Sequence, residues 1–478
     1  MNTNRIKRRD FVKSSIVASG IFIVPRHVLG GQGYTAPSDQ LGLASVGTGG
    51  KGSSDIINAS VNGRERIVSL CDVDSSGANK ISRVTKKFPN ASFYDNFKMM
   101  LDKEKDIDAI TISSPDHTHA SAAVYAMERG IHVYVQKPLT HNIYEARLLT
   151  EMARDKKIVS QMGNQGASNP DQLQIQKWVN DSSIGAISKV QVWSNRPVWP
   201  QGGKMPLPNP SKKPKTLNWD QWLGPSEETA FIPEMHPFNW RGWWNFGTGA
   251  LGDMGCHLID IPFKALGLKY PTDVECSVGS VYEQMWTANY FPEGCPPSSS
   301  VSLHFDATEK NNVPLQMTWS DGGIKPFHPD LIPADVPIEP NGVMMIGEKG
   351  VITCDSYGSD PKMYIKGQNV IVGEKIKNNE PEWGHQRKWV DACKAGFNST
   401  EHLSLTSSFD YSGPLTETVL MGNIAIRSYM LRKEGANGSP QFIGRKKLEW
   451  DGNAMKIKNL EAANQFVGRD YRKGWELT

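Results

Sequence analysis

Three polar residues have the types and surroundings that proton-coupled chemistry near neutral pH requires. Lys137 follows a short apolar segment and precedes a proline, where an ammonium group can stabilise a developing alkoxide. Asp253 and His257 are four residues apart, so a helix would place both on one face. Histidine is the natural general base near pH 7, because its ordinary pKa lies there. We therefore predict that Lys137, Asp253 and His257 form a catalytic group that also contacts substrate.

Each of these residues also has a purely structural interpretation. A lysine on a loop can be an ordinary surface residue, and an aspartate four residues before a histidine can be a helix cap beside a core histidine. A metal site is disfavoured, because the sequence has no HExxH motif and its six cysteines are scattered without a CxxC pair. We expect no metal.

A glycine-rich segment upstream has the pattern of a dinucleotide site. Residues 47–52 are GTGGKG, between an apolar strand at 41–46 and a helical stretch from residue 53. A second predicted strand at 66–71 ends at Asp72, where a carboxylate can accept ribose hydroxyls. Such glycines permit a tight turn and a close approach of the backbone to a pyrophosphate at the helix N-terminus. We predict that the cofactor-binding residues include Gly47, Gly49, Gly50, Gly52 and Asp72.

The residue types around Asp72 favour NAD over NADP. A carboxylate repels a 2′-phosphate, and the next residues, Val73 and Asp74, offer no arginine or lysine to bind one. Strands and helices continue to alternate up to residue 162, which predicts a parallel, doubly wound sheet. The ligands of such a sheet bind at the carboxyl ends of its strands, where Gly47, Ser113 and Lys137 fall.

Four motifs together resemble the Gfo/Idh/MocA (glucose–fructose oxidoreductase/inositol dehydrogenase) family: GTGGKG at 47–52, SPDHTH at 114–119, QKPL at 136–139 and GDMGCHLID at 252–260. The resemblance covers most of the chain after residue 40. It implies an N-terminal Rossmann domain and a C-terminal α/β domain with a large, open, mostly antiparallel sheet. It also implies hydride exchange between a nicotinamide and a secondary alcohol of a sugar or cyclitol.

The chain departs from the family pattern at residue 136, where Gln136 replaces the glutamate of the usual Glu-Lys-Pro motif. The substitution removes a negative charge beside Lys137. Because an opposite charge favours the protonated form, we expect a lower lysine pKa than the usual motif provides.

Further residues near the predicted strand ends complete the expected site. With Lys137, the cofactor set also contains Ser114, Pro115, His117, Gln136 and Gln165, and the substrate set contains Asn164, Arg241 and Trp244 together with the catalytic group. His117 has an alternative role in a helix N-terminal turn, and a linker turn would also explain Asn164 and Gln165. Eight of the 14 tryptophans lie between residues 178 and 244, where indole faces could stack on sugar rings or simply pack in a core.

The N-terminal residues have the pattern of a twin-arginine export signal. Arg8 and Arg9 precede Phe11 and an apolar run at 16–24 that is too short to span a bilayer. The alternative is a basic start to an ordinary helix. Export predicts a periplasmic protein, exported in the folded state, with no membrane anchor once the signal is removed. The 478-residue chain has a net charge of +3, which excludes the basic footprint of a nucleic-acid-binding protein.

The predicted organisation is a signal peptide at 1–31, a linker at 32–40, an NAD-binding Rossmann domain at 41–163 and a substrate and oligomerisation domain at 164–478. The open sheet of the family implies a homodimer or homotetramer.

Three functions remain open from the sequence. The first is an exported oxidoreductase that exchanges hydride between tightly bound NAD and a secondary hydroxyl of a sugar, glycoside or cyclitol. Tight binding is expected because the periplasm does not supply free NAD. The second is an NAD-dependent glycosidase, in which transient oxidation of a ring hydroxyl acidifies the adjacent C–H and permits elimination. The third, supported only by Gln136, is a carbohydrate-binding protein on a relic dinucleotide fold.

Overall fold

The computed structural model describes Ala36 and residues 39–76, 81–435 and 438–477. The predicted export signal at 1–31 lies outside the described residues, and so does most of the predicted linker at 32–40. Within the described ranges, every helix is too short or too polar to cross a lipid bilayer.

The first half of the fold is a six-stranded parallel sheet with the order β3-β2-β1-β4-β5-β6. Its strands are β1 (Gly42–Val46), β2 (Arg66–Cys71), β3 (Ser92–Tyr94), β4 (Ala109–Ile112), β5 (His132–Val135) and β6 (Ser160–Met162). Its helices are α1 (Gly50–Ser60), α2 (Ile81–Lys87), α3 (Phe97–Lys103), α4 (His119–Met127) and α5 (Ile143–Asp155). Strands β1 and β4 are short, apolar and buried at every position, as expected for a parallel sheet covered on both faces. The predicted doubly wound parallel sheet is confirmed.

The second half is built on a ten-stranded sheet with the order β14-β13-β12-β11-β7-β10-β9-β8-β17-β18. Its strands are β7 (Ile187–Trp193), β8 (Asp273–Val278), β9 (Ser299–Phe305), β10 (Leu315–Ser320), β11 (Gly342–Gly347), β12 (Gly350–Cys354), β13 (Lys362–Ile365), β14 (Ile371–Val372), β17 (Leu448–Asp451) and β18 (Lys456–Ile457). A separate hairpin contains β15 (Arg432–Glu434) and β16 (Pro440–Phe442). Strands β7 and β10 pair in parallel and the other neighbours are antiparallel, which confirms the large, mostly antiparallel sheet.

The chain after β6 also forms the helices α6 (Asp171–Asn180), α7 (Trp219–Leu223), α8 (Gly249–Leu258), α9 (Asp260–Ala265), α10 (His385–Ala395), α11 (Thr400–Leu403) and α12 (Phe409–Tyr429). Helix α10 packs on α1 and β5 of the parallel sheet. Strand β9 alternates between buried and half-buried residues, because one face packs on the core. The long helix α12 contacts β8, β9 and α8, so it links the sheet to the helix that carries Asp253 and His257.

Candidate functional site

The glycine turn between β1 and α1 has the backbone geometry that a dinucleotide requires. Gly47 has a φ of 71°, and a Cβ atom at this position would lie 2.4 Å from the backbone nitrogen of Ser114. A Cβ on Gly52 would lie 1.9 Å from the carbonyl oxygen of Gly47. Neither position has room for a side chain, so the turn and the first residues of α1 approach each other closely.

Asp72 lies at the end of β2, beside the glycine turn. Its carboxylate accepts the Gly49 N–H at 2.9 Å and the Asp74 N–H at 3.1 Å. Burial raises the pKa of Asp72, and these two hydrogen bonds act in the opposite direction. The predicted acid is therefore fixed at the edge of the turn, where a ribose would lie.

A cavity of about 470 Å³ extends from this turn to α8. Eleven predicted site residues line it: Gly47, Gly49, Gly50, Asp72, Ser114, Pro115, Gln136, Lys137, Gln165, Arg241 and His257. The Oε1 atom of Gln165 is buried and has no hydrogen-bond partner in the described part of the chain, so it is available to a bound molecule. The volume lies in the range of cofactor sites, and the tight glycine turn with its adjacent acid fits a nicotinamide dinucleotide.

Lys137 and Asp253 form the ion pair at one end of this cavity. The Lys137 Nζ lies 2.9 Å from Asp253 Oδ1 and 2.5 Å from the backbone oxygen of the same residue. Arg241 and Arg196 place their guanidinium nitrogens 3.3 and 3.6 Å from the same carboxylate. Burial alone raises the pKa of Asp253, but the Lys137 and Arg241 charges hold it well below its usual range. Asp253 is thus a carboxylate at neutral pH that holds Lys137.

His257 lies one turn after Asp253 on α8, as the four-residue spacing predicts. Its side chain is buried, and Nδ1 has no hydrogen-bond partner among the described residues. The edge of its ring meets the Tyr357 ring at a centroid distance of 5.1 Å. Burial, and next the Lys137 charge, lower the pKa of His257 well below its usual value. The imidazole is therefore neutral at pH 7 and can accept a proton.

Gln136 precedes Lys137 and donates its amide Nε2 to the Asp55 carboxylate at 2.8 Å. Asp55 lies on α1 and is fully buried. A glutamate at position 136 would place a second carboxylate against Asp55. Lys137 meanwhile has its own carboxylate partner, Asp253. Although residue 136 is not a glutamate, a buried carboxylate, Asp55, still lies beside it, and Lys137 still has a carboxylate partner, Asp253.

Asp55 is the centre of a larger hydrogen-bond network. It also accepts Ser113 Oγ at 2.9 Å and Gln386 Nε2 at 3.0 Å, and it pairs with Lys51 at 3.0 Å. Lys51 belongs to the glycine turn and pairs in addition with Glu382 at 2.6 Å. The network ties the turn, the loop after β4 and the start of α10 together beneath the cavity.

His117 is predicted to contact the cofactor, but the structure does not bring it to the cavity. Its Nδ1 lies 3.1 Å from the Phe246 carbonyl oxygen and its Nε2 lies 2.8 Å from the Trp222 carbonyl oxygen. Burial lowers the pKa of His117 to about 3. Both ring nitrogens face backbone carbonyls, so His117 connects the loop after β4 to the tryptophan-rich segment.

Asn164 and Trp244 are predicted to bind substrate and also lie away from the cavity lining. The Asn164 Oδ1 accepts the Ser407 hydroxyl, and its Nδ2 lies 3.4 Å from the Cys256 carbonyl oxygen. Trp244 lines a second cavity of about 380 Å³. Asn164 therefore bonds to residues around α8, and Trp244 faces a cavity different from the one that Lys137 and His257 line.

The cavity also contains residues that the sequence did not single out, among them Lys51, Tyr357, His236 and Phe238. Lys51 lies inside the glycine motif, so the sequence could have predicted its place in the cavity. Tyr357 and His236 lie in loops without a motif, and only the fold brings them to the cavity. Across the described ranges, His, Cys, Asp and Glu side chains form no group of three or more that could hold a metal ion.

Comparison with family models gives the same assignment as this geometry. Residues 41–164 match the oxidoreductase family with an NAD-binding Rossmann fold, Gfo/Idh/MocA, and residues 171–281 match the C-terminal alpha/beta domain of that oxidoreductase family. The chain belongs to the Gfo/Idh/MocA oxidoreductase family.

Individual relatives are more distant. A levoglucosan dehydrogenase from Pseudarthrobacter phenanthrenivorans is 23% identical over 192 residues, which cover 39% of this chain and 40% of the relative. A glycosyl hydrolase family 109 protein from Porphyromonas gingivalis is 30% identical over 146 residues, which cover 29% of this chain and 31% of the relative. The chain therefore spans less than half the length of these curated relatives.

Solved structures share the fold of this oxidoreductase. An aldose-aldose oxidoreductase from Caulobacter crescentus, complexed with glycerol, aligns with a TM-score of 0.54 at 14% identity. The alignment covers 81% of this chain and 98% of that chain.

Proposed function

We propose that this family member is an exported oxidoreductase that exchanges hydride between tightly bound NAD and a secondary hydroxyl of a sugar, glycoside or cyclitol. One observation carries the proposal. A single cavity is lined by the glycine turn at one end and by Lys137 and His257 at the other, and Lys137 is paired with Asp253 at 2.9 Å. The sugar-related names of the relatives support the substrate class.

The residues of this site divide the chemical work. The glycine turn and Asp72 would hold the dinucleotide, and its nicotinamide would supply the hydride acceptor. Lys137 donates to the substrate oxygen and stabilises the negative charge that develops there. His257, neutral at pH 7, takes the hydroxyl proton on a ring nitrogen. Asp253 remains ionised and orients the Lys137 ammonium.

NAD is preferred to NADP in this proposal. Asp72, Asp74 and Asp95 all follow the ends of β2 and β3, and a 2′-phosphate on the ribose would meet their negative charge. A nucleotide released from the protein and identified by mass distinguishes the two.

Export and assembly are part of the same proposal. Residues 1–31 would direct the folded protein to the periplasm by the twin-arginine route, and an Arg8→Lys/Arg9→Lys double variant should then stay in the cytoplasm. Cell fractionation measures this. The mature chain is expected to form a homodimer or homotetramer, which light scattering measures.

The central test uses one preparation of the mature protein. It is denatured to identify any released nucleotide by mass, and the native protein is then mixed with a panel of sugars, glycosides and cyclitols. We expect NAD, and a change in the reduced-nicotinamide absorbance with at least one compound. A protein with no nucleotide and no absorbance change would contradict the proposal.

The resemblance to a glycosyl hydrolase family 109 protein supports a second candidate, an NAD-dependent glycosidase acting by transient oxidation. Such an enzyme would release the aglycone of an aryl glycoside without net change in nicotinamide absorbance. The oxidoreductase would instead change the nicotinamide absorbance and release no aglycone. The third possibility, a non-enzymatic binding protein, depended on Gln136 alone, and the bond to Asp55 accounts for that residue.

A further inference from the structure

The structure assigns a second wall to the adenosine half of the cofactor site. Residues 216–241, here called the strap, follow β7, the first strand of the ten-stranded sheet in the chain, and seven of them line the cavity beside Asp72. We infer that the strap retains the dinucleotide, so that it does not exchange with free NAD between turnovers. The inference depends on the proposed NAD binding and goes beyond it, because it concerns how the cofactor is kept.

The strap is hydrogen-bonded to the chain directly after the acid at the end of β2. Asp74 and Leu217 form an antiparallel bridge. The Asn218 N–H donates to the Val73 carbonyl at 2.8 Å, and the Ser75 N–H donates to the Thr216 carbonyl at 3.2 Å. The strap thus begins with an isolated antiparallel bridge to the segment that follows Asp72.

Side chains attach the strap to two further strand ends of the parallel sheet. The Asn218 amide donates to Asp95, after β3, at 2.8 Å. His236 Nε2 lies 3.0 Å from the Asp74 carboxylate, after β2. The Trp222 carbonyl oxygen lies 2.8 Å from a ring nitrogen of His117, after β4. The adenosine half of a dinucleotide lies among these three strand ends.

An aromatic cluster holds the strap in one shape. Trp219 and Trp222 stack with ring centroids 4.5 Å apart and planes 8° from parallel, and Phe231 meets Trp219 edge-on at 5.0 Å. These rings are buried with their neighbours in a core of their own, against which Val73 packs. Three of the eight clustered tryptophans, Trp219, Trp222 and Trp240, therefore lie in the strap and pack in this core.

The C-terminal tail fastens the strap from outside. Arg472 pairs with Asp220 at 2.6 Å and donates to the Gly224 carbonyl at 2.9 Å. Trp475 meets Phe97 of α3 at a centroid distance of 5.8 Å. The tail thus spans from the strap to the parallel sheet, and opening the strap would also require the tail to move.

The strap and the parallel sheet face each other across the cavity. Gln221, Trp222, His236, Pro237 and Phe238 line it from the strap, and Val73, Asp95 and Phe97 line it from the other side. A dinucleotide between these walls would contact both of them, and moving the strap away from the parallel sheet would break the bridge and the side-chain anchors. We therefore expect these anchors to slow the release of the nucleotide.

Nucleotide exchange tests the inference directly. The holoprotein is incubated with isotope-labelled NAD, passed through a desalting column at intervals, denatured and analysed by mass. We expect the wild type to retain its original nucleotide for many hours, and an Asn218→Ala/His236→Ala variant to exchange at least tenfold faster. His236→Gln, which keeps a donor for Asp74, should exchange at nearly the wild-type rate.

The matched control is His304→Ala, since His304 forms a similar pair with Asp273 at 2.6 Å on the ten-stranded sheet, away from the strap. It should exchange like the wild type. A wild type that equilibrates within minutes would overturn the inference while leaving NAD-dependent oxidation intact. A double variant that exchanges no faster than His304→Ala, with an unchanged circular dichroism spectrum, would also overturn it. A chain that binds no NAD would refute the proposed function as well.

Discussion

The acids and the histidine of the cavity differ in how they are bonded. At the adenosine end the carboxylates of Asp72, Asp74 and Asp95 each bond to backbone or side-chain groups of the protein. At the reacting end His257 Nδ1 is buried without a hydrogen-bond partner among the described residues, as are the amide oxygens of Gln165 and Gln221 elsewhere in the lining. Buried polar groups are normally paired, so an unpaired one needs a reason. The acids are fixed by the protein, whereas the His257 nitrogen is left for a bound molecule.

His117 and His257 show the same contrast within one residue type. Both are buried, and burial lowers the pKa of each. His117 faces two carbonyl oxygens, whereas His257 has a ring nitrogen without a partner in the described chain. Burial therefore does not identify the base. An unpartnered ring nitrogen is not sufficient either, since His141 Nε2 is also buried without a partner among the described residues, but of these two histidines only His257 lines the cavity.

Replacing His257 and His117 separately by alanine tests this contrast, and His257→Ala should cause the largest loss of activity of any variant considered. His257→Ala should lower kcat by a factor of about 10²–10⁴, the usual contribution of a general base, with the protein still folded. His117→Ala should leave kcat within a few-fold and lower the free energy of unfolding by about 1–3 kcal/mol, because a buried carbonyl loses the N–H that the neutral ring donates. Steady-state kinetics and denaturant unfolding measure the two quantities. A His257→Ala enzyme with unchanged turnover would remove this residue from the mechanism.

Lys137→Met should produce the next largest effect. Loss of the ammonium group removes the charge that stabilises the substrate oxygen, so kcat should fall by a factor of about 10²–10³ while the bound nucleotide is retained. Lys447→Met is the control, because Lys447 also pairs with an aspartate, Asp273, at 3.5 Å but lies on the ten-stranded sheet. Equal kinetics in the two variants would show that Lys137 is an ordinary ion-pair lysine.

The sequence predicted the holding half of the cavity better than the reacting half. The glycine turn and Asp72 are local features, since their roles follow from a short motif and the order of strand, turn and helix. The partner of Gln136 could not be predicted, because Asp55 is 81 residues earlier in the chain and on a different element. The tryptophans were also ambiguous, since indole rings suit both a sugar site and a core, and only tertiary packing distinguishes them.

A smaller effect is expected when Gln136 is changed to the glutamate of the family motif. Gln136→Glu should lower the free energy of unfolding by about 1–3 kcal/mol, because an amide donor to a buried carboxylate is replaced by a second acid. It should also reduce kcat, since residue 136 precedes Lys137. Unfolding curves and kinetics measure both changes.

A reversed pair supplies the control for that prediction. In the Asp55→Asn/Gln136→Glu double variant an amide again faces a carboxylate, so most of the lost stability and activity should return. If the double variant is worse than the sum of the single variants, the pair does not act as a unit.

In mild acid the free energy of unfolding should fall while the catalytic rate stays nearly constant. Burial lowers the pKa of His117 and His385 to about 3, and it lowers the pKa of His141 and His257 well below the usual value. All four stay neutral in the folded protein while the unfolded chain takes up protons below about pH 6.5. Their contribution to stability is therefore present above pH 6.5 and is lost as the pH falls. Asp321 acts in the opposite direction, because burial raises its pKa to about 6 and the folded protein gains a proton there.

The rate and the stability should therefore respond differently over the same pH range. Between pH 6.5 and 5.5 the unfolded chain binds protons that these four buried histidines do not bind in the folded protein, so the free energy of unfolding should fall, and Asp321 offsets part of that fall. Over the same range kcat/KM should stay nearly constant, because His257 remains neutral. An ordinary histidine would already lose about three quarters of its base form at pH 6. The opposite result would be a pH–rate profile with a midpoint near 6.5 and a free energy of unfolding that does not change with pH. It would mean that His257 titrates as an exposed histidine and that the reacting end of the cavity is open to water.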